Sequence, residues 1–344
     1  MSGLSLALEV GWGTTLAIKT VVILAFVPLT ALILGYVFLL KMMSHMQSRL
    51  GPMDPGGFHG WFQLVGDGIK FLQKEDIMPG EADRRVFALA PAIVVISTFL
   101  IFLVIPAGPR LVVRDLDVGV FYALAVSSLS VIGVLMAGWA SANKFALLGA
   151  LRAAAQLIAY ELPLLLAVVG VVIQAGTMNL QGIVLAQQNG SIFGMDFFGN
   201  PYIFTQFVGF FLFLVAAQAE LTQTPFDMPV AESELVAGYM VEYTGFRFLF
   251  FFIGEFGTAF AFAALAATLY LGGWSIPGVD GGMADLLGPV VLFVKLMAVA
   301  FLMFWVRFTY PRLREDQLQS LAWKFLIPIG LLNIIATAII KVAV

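Results

Sequence analysis

The chain alternates between long apolar stretches and shorter polar connections along its whole length. A stretch of roughly 20 apolar residues is long enough to cross the hydrocarbon core of a bilayer as a helix. Eight such stretches occur, at about 15–40, 86–107, 118–140, 153–174, 202–220, 248–271, 288–306 and 325–340. The pattern predicts an all-α polytopic membrane protein with about eight transmembrane helices. Because the number of crossings is even, both termini are expected on the same side.

The first connection, residues 41–85, is too long for a simple turn and has a helical pattern of its own. Apolar residues recur there at helical spacing, namely Phe58, Trp61, Phe62, Val65, Ile69 and Leu72. A polar stripe lies on another face and consists of Gln63, Asp67, Lys70 and Lys74. This pattern predicts an amphipathic helix in the membrane interface. Two roles stay open: an anchor on the lipid surface, or a helix whose polar stripe lines a cavity beneath it.

Composition agrees with this pattern and narrows the classes of function. Of the 344 residues, 61% are hydrophobic and 11% are charged, whereas roughly 25% are charged in an average soluble domain. Apolar character fills residues 1–344, which are interpreted as a single membrane domain. The chain has no cysteine for a disulfide or an iron-sulfur cluster. His45 and His59 have no other ligand at metal-binding spacing, and a net charge of -3 argues against a nucleic-acid partner.

Lys and Arg residues are distributed unevenly between the two sets of connections. Thirteen fall in one set, namely Lys41, Arg49, Lys70, Lys74, Arg84, Arg85, Lys144, Arg152, Arg247, Arg307, Arg312, Arg314 and Lys324. The other set has only Arg110, Arg114 and Lys341. Because cytoplasmic loops are enriched in Lys and Arg, the first set is predicted to be cytoplasmic and the termini external. The expected location is the bacterial inner membrane, with an organellar membrane as the alternative.

The cytoplasmic connection at 219–247, called the acidic connection below, is unusually rich in carboxylates. Five of them precede its first basic residue, Arg247, and these are Glu220, Asp227, Glu232, Glu234 and Glu242. Like charges crowded at a boundary between water and lipid raise one another's pKa. Groups with perturbed pKa values are candidates for function. The acidic connection is therefore the first candidate site on the chain.

Ionisable residues also occur deep inside predicted spans, among them Glu161, Glu255 and Lys295. Counted from Arg152, Arg247 and Arg307 at 1.5 Å per residue, they lie roughly 13, 12 and 18 Å from the cytoplasmic end. A charge at such a depth costs about 2.5 to 3.5 kcal/mol on insertion scales. One interpretation is a structural ion pair of Glu161 or Glu255 with Lys295. The other is a hydrated polar path that carries protons from the cytoplasmic side.

Four segments resemble the H subunit family of bacterial NADH:quinone oxidoreductase, whose mitochondrial counterpart is subunit 1 of respiratory complex I. They are GWASANKFALLGALRAAAQLIAYELP at 138–163, TPFDMPVAESELVAGYMVEY at 224–243, DGIKFLQKEDIMP at 67–79 and PRLREDQLQSLAWKFLIP at 311–328. The similarity covers nearly the whole chain in the right order. It implies a subunit at the heel of the membrane arm that forms much of the quinone chamber and docks the peripheral arm.

The resemblance also implies roles for individual residues. The residues expected at the quinone chamber are Arg49, Asp67, Phe226, Asp227 and Glu232. The residues expected on the proton path, with Lys295 included for its depth, are Arg152, Glu161, Glu220, Glu234, Glu242, Glu255 and Lys295. No residue of this chain is expected to be catalytic or to bind a cofactor. Quinone would be the substrate, FMN and iron-sulfur clusters would reside in partner subunits, and the expected partners are other membrane-arm subunits and the quinone-proximal peripheral-arm subunits.

Four positions lack a charge that the family usually has, and Met53 stands where the family usually has Asn after Gly-Pro. Leu39 and Leu40 stand where the family usually has Glu and Arg, Gln223 stands for an Arg, and Val230 for a Glu. Loss of opposite charges together indicates the removal of whole interactions, since an orphaned buried charge is costly. One alternative is therefore the membrane anchor of a complex I relative with another electron donor, such as a hydrogenase or a ferredoxin-linked enzyme. Another is an independent proton or cation transporter, although no inverted repeat is evident.

Overall fold

The structure is a computed structural model that describes residues 12–190, 199–276 and 282–343. In these ranges the chain is helical and has no strand. The α-helices are α1 Trp12–Leu34, α2 Met43–Met46, α3 Gln63–Gln73, α4 Arg84–Ile101, α5 Gly119–Ser127, α6 Leu129–Ala140, α7 Lys144–Ala175, α8 Leu180–Asn189, α9 Tyr202–Thr205, α10 Phe207–Glu220, α11 Glu232–Leu235, α12 Gly245–Tyr270, α13 Gly282–Thr309, α14 Glu315–Leu321 and α15 Ile327–Ala343. Wider π-helical turns at Gly35–Met42 and Ala322–Leu326 join α1 to α2 and α14 to α15.

Most of the predicted spans are long continuous helices. Among the described residues, seven segments are long and apolar enough to cross a membrane, namely Ala17–Met46, Arg84–Ile101, Gly119–Ala140, Lys144–Ala175, Gly245–Tyr270, Gly282–Thr309 and Glu315–Ala343. The predicted span 202–220 is interrupted at Gln206, so its apolar helix is shorter and runs over Phe207–Glu220. The side chain of Gln206 donates to Thr337 at 2.7 Å and accepts from Asn333 at 3.0 Å, both on α15. The prediction of an all-α polytopic membrane protein is confirmed.

Two central helices, α7 and α12, organise the bundle. The first contacts α6, α10 and α15, and the second contacts α1, α4 and α13. Fully buried aromatic side chains fill the space between them, among them Tyr160 of α7, Phe213 of α10 and Tyr270 of α12. The two tyrosine hydroxyls donate to the backbone oxygens of Leu318 and Ala167 at 3.0 and 3.1 Å. These bonds supply the polar partner that a buried tyrosine needs.

The connections between spans gather at two opposite ends of the bundle. At one end, the first connection meets the acidic connection, where the hydroxyl of Thr244 donates to the backbone oxygen of Glu75 at 3.1 Å. At the other end, the backbone N–H of Val120 donates to the backbone oxygen of Met178 at 3.0 Å. The two long polar connections therefore lie together, as the alternation of spans requires. That this end faces the cytoplasm stays a prediction.

The first connection contains the helix that its pattern predicts, and this helix is α3. It lies against α12, where the rings of Phe71 and Phe248 stack with their centroids 5.7 Å apart. The polar stripe divides between two faces. Gln63 and Asp67 are half-buried on the face toward the protein and are joined by a 3.1 Å hydrogen bond, whereas Lys70 is exposed. The half-buried part of the stripe agrees with a cavity-lining role, and the exposed apolar face agrees with a lipid contact.

Candidate functional site

The acidic connection is folded back onto the spans. Apart from α11 and a short 3-10 turn at Gly238–Met240, its backbone is irregular. The amide nitrogen of Gln156, on α7, donates to the backbone oxygens of Ala219 and Phe226, both at 2.7 Å. Irregular backbone that is buried in a protein requires such partners. Gln156 therefore fixes the first part of the connection over the middle of α7.

Two glycines allow the acidic connection to touch α7 directly. A Cβ added to Gly149 would come within 2.7 Å of the Cα of Gly238 and 2.8 Å of the backbone oxygen of Pro229. Gly238 has a φ of +55°, and a Cβ there would overlap the same oxygen of Pro229. A positive φ also disfavours any residue with a side chain. The contact of backbone with backbone places α11 beside the helical turn of α7 that carries Arg152.

Glu220 ends α10 beneath the acidic connection and is buried. Its Oε2 has no hydrogen-bond partner among the described residues. Glu161 of α7 lies close enough to Glu220 to act on it electrostatically. The structure therefore brings together two carboxylates that the sequence placed 59 positions apart, at the junction of a span with the acidic connection.

Several buried polar atoms on the acidic connection and on the elements that contact it lack a hydrogen-bond partner in the described part of the chain. Besides Glu220 Oε2, the buried side-chain atoms without a hydrogen-bond partner among the described residues include Gln156 Oε1, Gln218 Oε1, Gln223 Oε1 and Arg312 Nε. All of these residues lie on the acidic connection or on elements that bind it. Buried polar groups in native proteins nearly always have a partner, and ordered water supplies it where protein atoms do not. These atoms therefore indicate internal water along this connection.

Glu255 of α12 binds the side chains of two other elements. The guanidinium of Arg307, near the end of α13, donates to its Oε1 at 3.1 Å, and Gln223 donates to the same atom at 3.3 Å. The guanidinium also lies 5.7 to 6.0 Å from the ring centroids of Phe256, Phe304 and Phe308. These aromatic rings exclude water on one side and hold the cation by its attraction to their faces. The predicted ion pair of a buried Glu with Lys295 is wrong, because Arg307 takes that role for Glu255.

Asp227 occupies the middle of the acidic connection and is half-buried. Burial is the main cause that raises its pKa, and the nearby charge of Glu255 raises it further. Arg307 and Arg312 act in the opposite direction and lower the pKa of Asp227. Burial also raises the pKa of Tyr239, with Glu255 and Asp227 as further causes. Asp227 thus retains a proton to higher pH than an ordinary aspartate, as expected of a group that exchanges protons.

Glu234 belongs to a more exposed network of ion pairs. Its carboxylate lies 2.6 Å from Arg152 and 2.9 Å from Arg312, and Arg152 also lies 3.7 Å from Glu315 of α14. Hydrogen bonds from the two arginines lower the pKa of Glu234. The network ties α7, α11, α14 and the end of α13 together at one end of the bundle.

Lys295 lies away from the buried carboxylates. Its ammonium donates to the backbone oxygens of Gly273 and Ser275 at 2.9 and 3.0 Å. Both acceptors follow the end of α12 that is remote from the acidic connection. The expectation that Lys295 converges with Glu161 and Glu255 is therefore wrong. The position of Lys295 along α13 agrees with the count from the sequence. Its ammonium is bound by the turn at 272–275, which folds inward, and not by a carboxylate of the described residues.

The remaining candidates lie at the same end as the acidic connection but not in one group. The carboxylate of Glu242 accepts from Asn143 at 2.6 Å, at the start of α7. Glu232 is exposed on α11, and Arg49 is exposed and donates to Gln47 at 2.8 Å. Among the described residues, no group of three or more His, Asp or Glu side chains is arranged to hold a metal ion.

A cavity of about 560 Å³ opens between the end of α1 and the first connection. Its lining includes Tyr36, Lys41, His59 and Trp61. The ammonium of Lys41 donates to the backbone oxygen of Pro52 and lies 5.8 Å from the ring centroid of Tyr36. The cavity thus combines aromatic walls with one fixed cation, which is a pattern of ligand pockets.

Comparison with known proteins agrees with this geometry. Residues 18–338 match the family model described as NADH dehydrogenase. The chain belongs to the NADH dehydrogenase family. It is 45% identical over 337 residues to the H subunit of NADH-quinone oxidoreductase from Geobacillus kaustophilus (strain HTA426), covering 98% of this chain and 95% of the relative. It is also 46% identical over 320 residues to the protein of the same name from Bacillus thuringiensis subsp. konkukian (strain 97-27), covering 93% and 92%.

This member of the NADH dehydrogenase family accommodates its unusual residues without an orphaned charge at the pairs described here. Gln223 donates to Glu255, so Arg307 remains the cation paired with that carboxylate. Leu39 packs against the main hydrophobic core, and Val230 packs against a smaller core between α4, α6 and α12. These three replacements are thus accommodated by packing or by a hydrogen bond from an uncharged donor.

Several functional candidates of this family member escaped sequence reasoning. Arg307 and Arg312 were counted only as cytoplasmic charges, although they contact Glu255 and Glu234. Gln156 and Tyr239 carry no charge near neutral pH and lie in apolar surroundings, so neither stood out. One signal was available: Arg307 is two residues from the end of its helix, within reach of carboxylates at the same depth.

Glu234→Gln is expected to reduce the acid sensitivity of folding. The folded-state pKa of Glu234 is below its ordinary value of 4.5, so its stabilising contribution is present above that pH and is lost as pH falls through the folded value. Because the site is exposed, the effect should stay below about 1 kcal/mol. Thermal unfolding at pH 3 to 7 measures it, with Glu315→Gln as the control because its contact with Arg152 is longer. Equal acid sensitivity in wild type and Glu234→Gln would contradict the assignment.

Proposed function

We propose that this chain is the membrane subunit of a complex I type NADH:quinone oxidoreductase, in which it forms the quinone-binding chamber and the start of the proton-coupling path. The names of the relatives support this, since each is the H subunit of an NADH-quinone oxidoreductase. The observation that carries the coupling role is buried Glu220, whose Oε2 lacks a hydrogen-bond partner among the described residues and which Glu161 affects electrostatically. An enzyme that reduces a quinone must supply protons to it. Internal water beside a carboxylate provides a route for those protons.

Quinone would enter from the bilayer beside α3 and the cavity bounded by Tyr36, His59 and Trp61. Its isoprenoid tail needs apolar walls and its headgroup needs a few polar groups. Of the five candidates for the chamber, Phe226 is buried, Asp67 and Asp227 are half-buried, and Arg49 and Glu232 are exposed. This chain itself binds no redox cofactor. FMN and iron-sulfur clusters in partner subunits would deliver the electrons.

Reduction of a quinone to a quinol consumes two electrons and two protons, and each electron that arrives makes the headgroup more negative until a proton follows. A carboxyl group with a raised pKa, such as Asp227, is suited to supply a proton at that moment. Asp227 and Glu255 act on one another electrostatically, and so do Glu220 and Glu161. A change of charge at the quinone would thus be felt by the carboxylates that lead into the spans.

The other expected proton-path residues take supporting parts in this proposal. Arg152 and Glu234 hold α11 against α7, and Glu242 attaches the end of the acidic connection to the start of α7. Lys295 has no part in this path. The complex would lie in the bacterial inner membrane, with the acidic connection facing the cytoplasm and the peripheral-arm subunits, and with other membrane-arm subunits against the lipid-facing helices.

Glu220→Gln tests the coupling role in the assembled complex. The amide keeps the shape of the side chain but cannot take up a proton, so proton translocation should fall at least about tenfold. Proteoliposomes that oxidise NADH with a short-chain quinone report quinone reduction and proton uptake together. Glu75→Gln is the matched control, because Glu75 is an exposed carboxylate at the same end of the bundle.

Three outcomes would contradict the proposal. Unchanged proton translocation and quinone reduction in Glu220→Gln would remove the coupling role. Activity with reduced ferredoxin or hydrogen but none with NADH would favour the alternative of a complex I relative with another electron donor. Ion flux through vesicles containing this chain alone would instead favour an independent transporter.

A further inference from the structure

A second cavity lies at the end of the bundle remote from the acidic connection. It has a volume of about 510 Å³ and is bounded by α1, α12, α13 and the segment that follows α4. Its walls are apolar, with Phe26, Phe260 and Phe293 among the lining residues. Two basic residues, Lys19 and Arg110, also line it. The quinone proposal uses none of these residues.

The two cations lie at the level where a membrane surface is expected. Lys19 is seven residues from the first residue of α1 and about 10 Å above Phe26 along the helix. Its ammonium donates to the backbone oxygen of Val113 at 2.6 Å, and Arg110 belongs to the same connection. The described residues offer no carboxylate within ion-pair distance of Lys19. One carbonyl satisfies only one of its three donors.

The side chain of Arg110 is similarly available to a ligand. Its Nε lies 3.8 Å from Asp285, and 88% of the side chain is exposed. An ion pair this long and this exposed contributes little. An apolar cavity with two incompletely paired cations at its membrane-surface margin is complementary to a molecule with an anionic head and a slender apolar tail.

The volume decides between a lipid chain and a helix of another protein. A helix about 10 Å wide would fill 510 Å³ with only about 7 Å of its length, roughly one turn. An extended acyl chain is much thinner and fits a narrow cleft. A quinone tail is also thin, but a quinone headgroup carries no charge to match two cations.

We propose that this cavity binds one acyl chain of an anionic phospholipid of the outer leaflet, with the lipid phosphate held by Lys19 and Arg110. The site is independent of the quinone chamber and of the proton path. It places a resident lipid between α1 and α13, two helices that both contact α12. Such a lipid would complete the packing of α1 at the external end.

The test compares two headgroups on the full-length chain in the complex with which it purifies. Nanodiscs contain a trace of spin-labelled phosphatidylglycerol or spin-labelled phosphatidylcholine, and the immobilised fraction of each lipid is measured. Wild type should retain phosphatidylglycerol preferentially. A cation near a membrane surface contributes about fivefold in affinity. The affinity for phosphatidylglycerol should therefore fall about 25-fold in the Lys19→Gln, Arg110→Gln double variant.

Matched variants separate the headgroup from the cavity. Arg114→Gln removes a charge from the same connection, and because Arg114 does not line the cavity it should leave retention unchanged. Val22 is exposed and lines the cavity, so Val22→Trp should fill the cavity and release the lipid. The preceding residue, Val21, is exposed but does not line the cavity, so Val21→Trp should leave the lipid bound. Equal retention of the two lipids by wild type, or loss of the bound phosphatidylglycerol to added short-chain quinone, would overturn the proposal.

Discussion

Replacing Gly238 by alanine is expected to prevent the acidic connection from docking on α7. The residue has a φ of +55°, and its new Cβ would overlap the backbone oxygen of Pro229. A left-handed conformation costs about 1 to 2 kcal/mol and overpacking about 1 to 3 kcal/mol, so the expected loss is about 2 to 5 kcal/mol. The overlapping atom belongs to the backbone, so no side-chain rotation can relieve it. Thermal unfolding of the purified complex and its quinone reductase rate measure the effect, and the rate should fall at least tenfold.

Gly176→Ala separates the two causes of this loss. Gly176 is left-handed, with φ +75° and ψ +12°, but a Cβ there would have nothing within 4 Å. It should therefore cost only the conformational part, about 1 to 2 kcal/mol, with a nearly normal reductase rate. If Gly238→Ala is no worse than Gly176→Ala, the acidic connection is not held by the close approach of Gly149 and Gly238.

Replacing Arg307 by glutamine is expected to remove the ion pair with Glu255 and to raise the pKa of Asp227. The pair of Arg307 with Glu255 has side chains that are 21% and 29% exposed, so the loss of stability should be smaller than for a fully buried pair, about 1 to 3 kcal/mol. Arg307 is also one of the two cations that lower the pKa of Asp227. Without it that pKa rises further, and Asp227 keeps its proton to higher pH. Because Asp227 is proposed to donate a proton, the alkaline limb of the quinone reductase pH profile should move to higher pH, and the maximal rate should fall about tenfold.

A second substitution should restore part of what Arg307→Gln removes. Gln223 lies 3.3 Å from Glu255, so Gln223→Arg would place a new cation beside the same carboxylate. The variant with both substitutions should regain the position of the alkaline limb more fully than the rate. Arg314→Gln is the control, because Arg314 is exposed and pairs with Asp316. An unshifted alkaline limb in Arg307→Gln would exclude Asp227 as the titrating group.

The helical architecture could be predicted from the sequence because hydrophobic length is a local property. Each span needs only its own run of apolar residues, and backbone hydrogen bonds inside a bilayer leave few alternatives to a helix. The amphipathic helix α3 could also be predicted, because the helical spacing of its apolar residues is likewise a local property. The break at Gln206 could not be predicted, since its amide is satisfied by Asn333 and Thr337, which come more than 120 residues later.

The sequence predicted which carboxylates belong to the candidate site, but it did not predict which side chains they pair with. Their positions in the sequence identified Glu161, Glu220, Asp227 and Glu255 as carboxylates inside predicted spans or at a membrane boundary. Depth counted along single helices then suggested Lys295 as a partner, which was wrong. Depth on one helix says nothing about the rotation of that helix or about a turn that folds inward to meet it.

The sequence by itself determined that this is a multi-pass helical membrane protein with an acidic connection at one end and charges within its spans. Only the tertiary structure decided that Arg307 is the cation of Glu255, that Gln156 holds the connection and that Glu220 is buried with one oxygen unpartnered among the described residues. The physical reason is the range of the interactions. Hydrophobic partition acts residue by residue, whereas an ion pair or a buried hydrogen bond depends on a few ångströms between atoms far apart in the chain.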